Sequence, residues 1–230
     1  MDLNQSQKQN IENDLAMEII PIQKKSVVYY GLKRGMDILG AICGLIIFSP
    51  IFLLVPLLYM RGEGKGPVFF KQQRIGINGQ SFYIYKFRSM VLNAEGKLKQ
   101  NEVLYQKYIQ NNYKLEPEED PRITGVGRFL RKTSLDELPQ FINVLKGEMS
   151  LVGPRPVVEE ELKEYGDRTE LFLSVKPGIT GYWQVSGRSD VGYPERVDLE
   201  LYYVYKKSIF MDMKILFLTC VQVLLRKGAY

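Results

Sequence analysis

From Ile38 to Met60 the chain carries no charge, reading ILGAICGLIIFSPIFLLVPLLYM. A helix needs about 20 apolar residues to cross a bilayer, so this segment can enter a membrane. Its flanks narrow the choice. Lys24, Lys25, Lys33 and Arg34 precede it, and Arg61, Lys65, Lys71 and Arg74 follow. Basic residues favour the cytoplasmic side, so both ends are expected on that side. Both are satisfied if the segment enters the bilayer, bends and returns. Ser49-Pro50 stands near its middle. Proline removes a backbone hydrogen bond and kinks the helix, and a serine hydroxyl can re-satisfy a freed carbonyl. A re-entrant helical hairpin is the preferred reading. A straight, kinked span is its main rival, and a buried soluble helix stands third. The segment is no cleavable signal peptide: it starts too far in, runs too long and lacks a small-residue cleavage site.

At 230 residues the chain can bury one sizeable core with a small accessory region. A formal charge of +5 points to an anionic partner. The two cysteines, Cys43 and Cys220, lie in apolar segments and form no disulfide framework, which fits a reducing compartment. There is no histidine, which removes the commonest general base and zinc ligand. Chemistry must then rest on carboxylates, Lys, Arg, Tyr or Ser, with any metal a hard, oxygen-bound one.

The stretch RKTSLDELPQFINVLKGEMSLVGPRP, Arg131 to Pro156, meets that description. It sets the pair Asp136-Glu137 among Arg122, Arg128, Arg131, Lys132 and Arg155. Arginines bind phosphate oxygens in a planar fork, and carboxylates hold Mg²⁺ or attack phosphorus. Ser134-x-x-Glu137 also reads as a capping box, with Pro139 early in the helix, and on that tetrapeptide alone the capping reading comes first. The two coexist, since the start of a helix favours both carboxylates and phosphate.

Elsewhere, Pro67 to Met90 reads as a β-hairpin: Val68-Phe69-Phe70 and Ser81 to Phe87 flank an Asn78-Gly79 turn, with Lys86 and Arg88 on one face. Glu95 to Tyr113 is a polar helical stretch without assigned function. Leu138, Phe141, Ile142 and Leu145 recur at helical spacing, so the helix after Asp136 packs inward through them. Gly153-Pro154-Arg155-Pro156 is a rigid loop that fits a preorganised anion contact or an ordinary turn. Val175 to Asp190 is a glycine-rich loop with the only Trp and Arg188. Met213 to Leu225 is too short to span; with Arg226-Lys227 behind it, it suits an interfacial amphipathic helix or, equally, a core helix.

In this order the pieces resemble the bacterial sugar transferase family, the monotopic polyprenyl-phosphate phosphoglycosyl transferases in their small stand-alone form. The matching residues are Lys33-Arg34-x-x-Asp37, Ser49-Pro50, Gly66 to Gly76, Tyr85 to Met90, Leu135-Asp136-Glu137-Leu138-Pro139-Gln140, Met149 to Pro156, Lys176 to Gly181, Gly187-Arg188, Tyr202-Tyr203 and Asp212-x-Lys214-Ile215. The ordered set is specific, though each motif alone is weak. One departure is Glu200, where the family often has Asp; a role for that carboxylate is open.

The resemblance implies transfer of a phospho-sugar from a UDP-sugar to undecaprenyl phosphate, releasing UMP, at the cytoplasmic face of the bacterial inner membrane. It implies Mg²⁺, Asp136 as nucleophile, and Glu137 with Asp136 at the metal. Arg131, Arg155 and Arg188 would hold phosphates, with Lys86 and Arg88 as further candidates. The fold expected is α+β and mostly helical: a monotopic membrane protein with an N-terminal re-entrant helical hairpin, a small β-hairpin and interfacial amphipathic helices. Residues 1–28 form a tail, 29–61 the re-entrant segment and 62–230 a cytoplasmic catalytic domain. The partners implied are the two substrates and membrane lipid, with a homo-oligomer compatible. A non-catalytic membrane scaffold of a polysaccharide assembly complex is one rival. A nucleic-acid module is another, but no recognition helix or stacking platform is apparent.

Overall fold

The computed structural model describes residues 25–60, 65–110, 115–116, 118–186 and 191–225. Helix α1 (Val27–Ile47) begins at Ser26, whose hydroxyl accepts the Tyr29 N–H at 3.2 Å. It ends at Phe48, and α2 (Ser49–Leu58) leaves at 52°. Pro50 sits in the first turn of α2, where its missing N–H costs nothing. The break therefore falls at the expected place, but by another device. Among the described residues the Ser49 hydroxyl makes no hydrogen bond. Instead, the Phe48 N–H reaches Gly44, and the Phe48 carbonyl accepts from Ile51 and Phe52. A straight helix is not formed: among the described residues no single helix is long and apolar enough to cross a membrane, whereas the bent pair together has that length and composition.

The hairpin forms as read. Strands β1 (Phe69–Ile75) and β2 (Ser81–Phe87) pair antiparallel from Phe69↔Phe87 to Ile75↔Ser81. Asn78 (φ 55°) and Gly79 (φ 76°) take the left-handed conformations that an Asn-Gly turn supplies. The first strand runs further than Val68–Phe70, because its pairing continues to Ile75. The polar stretch after it breaks at Gln100-Asn101 into α3 (Ala94–Lys99) and α4 (Glu102–Gln110).

Helix α5 (Gly125–Lys132) is capped by the Thr124 hydroxyl, which accepts the Gly127 N–H at 2.9 Å. Here the helix lies against the strand-end backbone so closely that a Cβ on Gly127 would stand 1.8 Å from the Ser89 carbonyl oxygen. Gly127→Ala should therefore lower stability despite the better helix propensity of alanine. The loss should be about 2–3 kcal/mol, the usual scale of overpacking. Thermal unfolding in detergent reads it directly, and an unchanged midpoint would show that this contact is not tight.

Next come a 3₁₀ turn (Leu135–Glu137), helix α6 (Gln140–Lys146) closed by left-handed Gly147, and strand β3 (Ser150–Val152). A 3₁₀ segment (Glu159–Arg168) and short α7 (Thr169–Phe172) lead to β4 (Gly178–Thr180), which pairs parallel to β3. Helices α8 (Tyr182–Ser186), α9 (Glu195–Lys206) and α10 (Ile209–Leu225) follow. Within the stretch Val175 to Asp190, Gly178–Thr180 is thus strand and Tyr182–Ser186 helix rather than loop. The fold is α+β, mostly helical, with a small antiparallel sheet. The N-terminal tail ahead of residue 25 lies outside the described residues.

One core joins the apolar segment to the rest: Ala41 of α1 packs with Phe82, Ile84, Val144, Met149, Leu151, Val152, Val185, Tyr203 and Ile215. A polar clamp reinforces it. Arg34 donates to the Val144 and Leu145 carbonyls at 2.6 and 2.8 Å, in the last turn of α6, where carbonyls run short of intrahelical partners. Asp37, buried, accepts from the Ser150 hydroxyl and the Leu151 N–H, both at 2.9 Å. Lys33 pairs with fully buried Asp212 at 2.8 Å and donates to the Val152 carbonyl at 3.1 Å. Helix α10 packs as a core helix on one side and leaves apolar side chains exposed on the other. Asp212 and Ile215 face the core, while Phe210, Met213 and Phe217 stand exposed.

Candidate active site

The site is built where β2 lies beside the chain leading into α6. Asn143, fully buried on α6, docks the two: its Oδ1 accepts the Tyr85 N–H at 3.0 Å, and its Nδ2 donates to the Tyr83 carbonyl and to Glu148, each at 2.7 Å. Lys86, next along the strand, then meets Glu137 at 2.7 Å. Of the apolar residues expected to face inward, Leu138 is buried and Phe141 and Leu145 pack against the core, but Ile142 is exposed, and the polar Gln140 and Asn143 are buried with Val144. The polar Asn143 turns inward because β2 offers it a strand edge to complete.

The expected capping box does not form. Ser134 takes a left-handed conformation (φ 55°) and its side chain caps no helix end. The backbone then winds as a 3₁₀ turn that carries Asp136 and Glu137. A non-glycine residue held in that region stores strain, a pattern that clusters at functional sites. Burial first, and then the neighbouring Glu137, push the Asp136 carboxyl up to about 6, against the pull of Lys86 and Arg131.

A narrow cleft opens beside this turn. Arg74, Lys86, Glu137, Gln140, Arg155 and Gln184 supply its polar wall. Its far side depends on glycine. A Cβ on Gly178 would stand 2.1 Å from the Gly153 nitrogen, and one on Gly181 2.1 Å from the Gly153 oxygen. Only bare backbones let β4 approach the Gly153-Pro154-Arg155 loop this closely. The Arg155 N–H donates to Glu200 at 3.2 Å. Glu200, buried, also accepts from Arg196 Nε at 3.2 Å and from the Tyr165 hydroxyl. Burial raises its pKa, and the Arg196 charge opposes that rise. Behind it, Glu161 bridges Arg74 and Arg196, each at 3.3 Å. Burial and then the nearby Arg155 lower the Arg74 pKa. Two guanidinium groups are thus held close enough to repel, an arrangement that an anion between them relieves.

The family model described as bacterial sugar transferase matches residues 28–226. The chain belongs to the bacterial sugar transferase family. It is 50% identical over 202 residues to an undecaprenyl-phosphate galactose phosphotransferase of Salmonella typhimurium, covering 86% of this chain and 42% of that protein. It is 47% identical to the exopolysaccharide production protein ExoY of Sinorhizobium fredii, covering 86% and 88%. It is 41% identical to the UDP-glucose:undecaprenyl-phosphate glucose-1-phosphate transferase of Escherichia coli, covering 86% and 41%. The chain therefore spans less than half of two of these relatives and most of the third.

Within this sugar transferase the structure gathers Asp136, Glu137, Lys86, Arg131 and Arg155 at one place. Other cations named from the sequence go elsewhere. Arg88 is buried, with its Nε on the Pro67 carbonyl (2.7 Å), its Nη1 on the Met90 carbonyl (2.9 Å) and its plane over the Tyr59 ring. It braces the strand end and does not share a face with Lys86, because β2 stops at Phe87 and the chain turns. Arg122 is spent on Asp120 through a paired contact (2.7–3.1 Å). Arg128 and Lys132 are exposed. Arg188 lies outside the described residues. Arg74, Gln140 and Gln184 were missed as site residues. Arg74 stood in the quoted motif, but nothing in the strand pattern revealed that its end meets Arg155. Among the described residues no three carboxylates, histidines or cysteines cluster as a metal site. The Asp136-Glu137 pair still suits Mg²⁺, which is commonly held by one or two carboxylates with substrate phosphates completing the shell.

Proposed function

We propose that this chain moves a sugar 1-phosphate from a UDP-sugar to undecaprenyl phosphate, giving undecaprenyl-diphosphate-sugar and UMP, through a covalent phosphoaspartate on Asp136. The observation that carries the reading is a largely buried carboxylate standing beside a Glu137–Lys86 pair, at a cleft walled by Arg74 and Arg155. An ionised Asp136 oxygen attacks the sugar-bearing phosphorus. The bond from that phosphorus to the bridging oxygen breaks, and the bridging oxygen leaves on UMP. An oxygen of the lipid phosphate then attacks the same phosphorus, and Asp136 is released as carboxylate. One phosphoanhydride is broken and one formed, so no ATP enters.

The carboxylate needs no histidine to activate it, because it is ionised above about pH 6. Lys86 and Arg131 offset its charge as it nears the anionic donor, and Arg155 with Arg74 takes phosphate oxygens. Glu137, with Asp136, would hold Mg²⁺, which when bound supplies positive charge to the transferring phosphate. Arg188 is carried as a further phosphate contact from the family motif alone.

The α1–α2 pair enters and leaves the same leaflet, making the protein monotopic, at the cytoplasmic face of the bacterial inner membrane. There a lipid head group meets a soluble nucleotide sugar. Residues 29–61 form that re-entrant unit and 62–230 the catalytic domain. The step begins polysaccharide or glycoconjugate assembly.

The test is UMP release by detergent-purified protein given Mg²⁺, undecaprenyl phosphate and a panel of UDP-sugars that includes galactose and glucose. Release with one donor, lost when either metal or lipid phosphate is withheld over multiple turnovers, fits the proposal. No release with any donor from folded protein would count against it.

A further inference from the structure

The seam between α1 and α10 holds a cation that the proposed reaction does not use. Lys207, at the corner joining α9 to α10, is 5% exposed, and it has no anionic or hydrogen-bonding partner among the described residues. Its buried stem makes this unusual, because lysines are seldom buried without a counter-ion. Its charged neighbours are Lys25 and Lys33, and burial followed by these two lysines lowers its pKa. Lys33 is already committed to Asp212, at 2.8 Å. The hydroxyl of Tyr29, one turn into the same seam, is buried and also without a partner. Among the described residues, Lys25, Lys33 and Lys207 stand against two carboxylates, Asp212 and Asp37, and Asp37 is already held by Ser150 and Leu151, so the seam keeps a net positive charge beside an orphan hydroxyl.

An apolar groove lies along the same two helices, α1 and α10. It is about 520 Å³, lined by Leu32, Met36, Leu39 and Cys43 of α1, with Leu151 and Leu216. Gly31 and Gly35 form part of its wall, and a Cβ at either would meet nothing within 4 Å. Asp212 and Leu216 lie one turn apart on α10, so the seam runs from the lysines into the groove. Phe210, Met213 and Phe217 extend the exposed apolar surface beside it.

We propose that this seam is a binding site for an anionic phospholipid of the surrounding membrane, with its phosphate on Lys207 and Lys25 and an acyl chain along the Gly31–Gly35 face of α1. The inference rests on the membrane placement of α1–α2 but not on the transfer chemistry. Charge selects the occupant. A zwitterionic head group would fill the groove without removing the excess of cations, whereas an anionic one does both. The site also lies at the start of α1, where basic residues are expected to meet the head-group layer.

Native mass spectrometry of the detergent-purified full chain, titrated with phosphatidylglycerol or phosphatidylcholine, tests it. The wild type should retain phosphatidylglycerol at least about tenfold more tightly than phosphatidylcholine. Lys207→Gln should remove that preference, while the exposed-residue control Lys163→Gln keeps it. A surface lysine in the interfacial field is expected to change binding only about fivefold. Gly35→Leu, which points into open groove space, should weaken retention of both lipids without loss of folding. UMP release in detergent reports separately on the transfer reaction, so the two readings fail independently. Equal retention of the two lipids, or a Lys207→Gln variant that binds as the wild type does, would overturn the site. So would full displacement of the bound lipid by millimolar inorganic phosphate, because that would leave no part for the groove.

Discussion

Asp136→Asn should abolish UMP release and at the same time make the protein more stable. Loss of a covalent nucleophile removes at least about 10⁴-fold of rate in comparable catalytic units. The stability gain follows from the raised pKa. Burial makes the charged form of Asp136 unfavourable in the folded state, with its acid strength displaced from 3.8 to about 6. A carboxyl group whose folded pKa is raised contributes most below its unfolded pKa, and that contribution is lost as pH rises through the folded value. Asparagine mimics the protonated form and escapes the loss. At pH 7, without Mg²⁺, the variant should gain about 1–3 kcal/mol over the wild type. The gain should shrink as pH falls from about 6 towards 4 and vanish below that range. Thermal unfolding across this range checks it. A variant that is inactive and also less stable would mean that Asp136 is a structural carboxylate, which would undermine its role as nucleophile.

Lys33→Met should cost about 3–5 kcal/mol, the usual loss when one partner of a buried ion pair is removed. Asp212 is 0% exposed, and without Lys33 its remaining close partner is the Tyr203 hydroxyl at 2.7 Å. The loss should reach the cleft as well. Lys33 and Tyr203 both donate to the Val152 carbonyl at 3.1 Å, and Val152 leads directly into Gly153-Pro154-Arg155. The double variant Lys33→Met/Asp212→Asn should recover much of the stability, because no uncompensated charge is left inside. Denaturation midpoints for the two single variants and the double variant form the cycle. Strict additivity would show that the pair is not coupled and that the clamp lies elsewhere.

Much of this architecture could be read in the chain before any coordinates. The uncharged stretch with cations at both ends announced a bent pair, since length and flank charge are local properties. The Asn-Gly turn announced the hairpin for the same reason. The Asp136-Glu137 pair and Arg155 stood out as candidates only within the ordered motif set, since each alone also suited a helix cap or an ordinary turn. What was hidden is set by distant contacts. Asn143 carries no local sign of burial, because its partners come from β2. Arg88 and Arg122 were indistinguishable from site cations because their carbonyl and carboxylate partners are fixed only by the folded turn. The role open for Glu200 belongs to the same class: it depends on Arg155, Arg196 and Tyr165 meeting at one point. The capping motif failed for a local reason, because the left-handed Ser134 diverts the backbone before the cap can close.

The Lys33–Arg34–Asp37 clamp bears on how such a protein can be rearranged. Its three side chains reach α6, β3 and α10, so the apolar α1–α2 segment is a structural member of the catalytic body rather than a detachable tether. A version cut after Met60 to obtain a water-soluble enzyme would strip Asp212 of its cation and take the Arg34 guanidinium from the Val144 and Leu145 carbonyls. Fusion of another module ahead of Val27, by contrast, leaves every one of these contacts in place. Chimeras between family members should therefore tolerate exchange of whatever precedes α1, and fail when the junction falls between α1 and the hairpin.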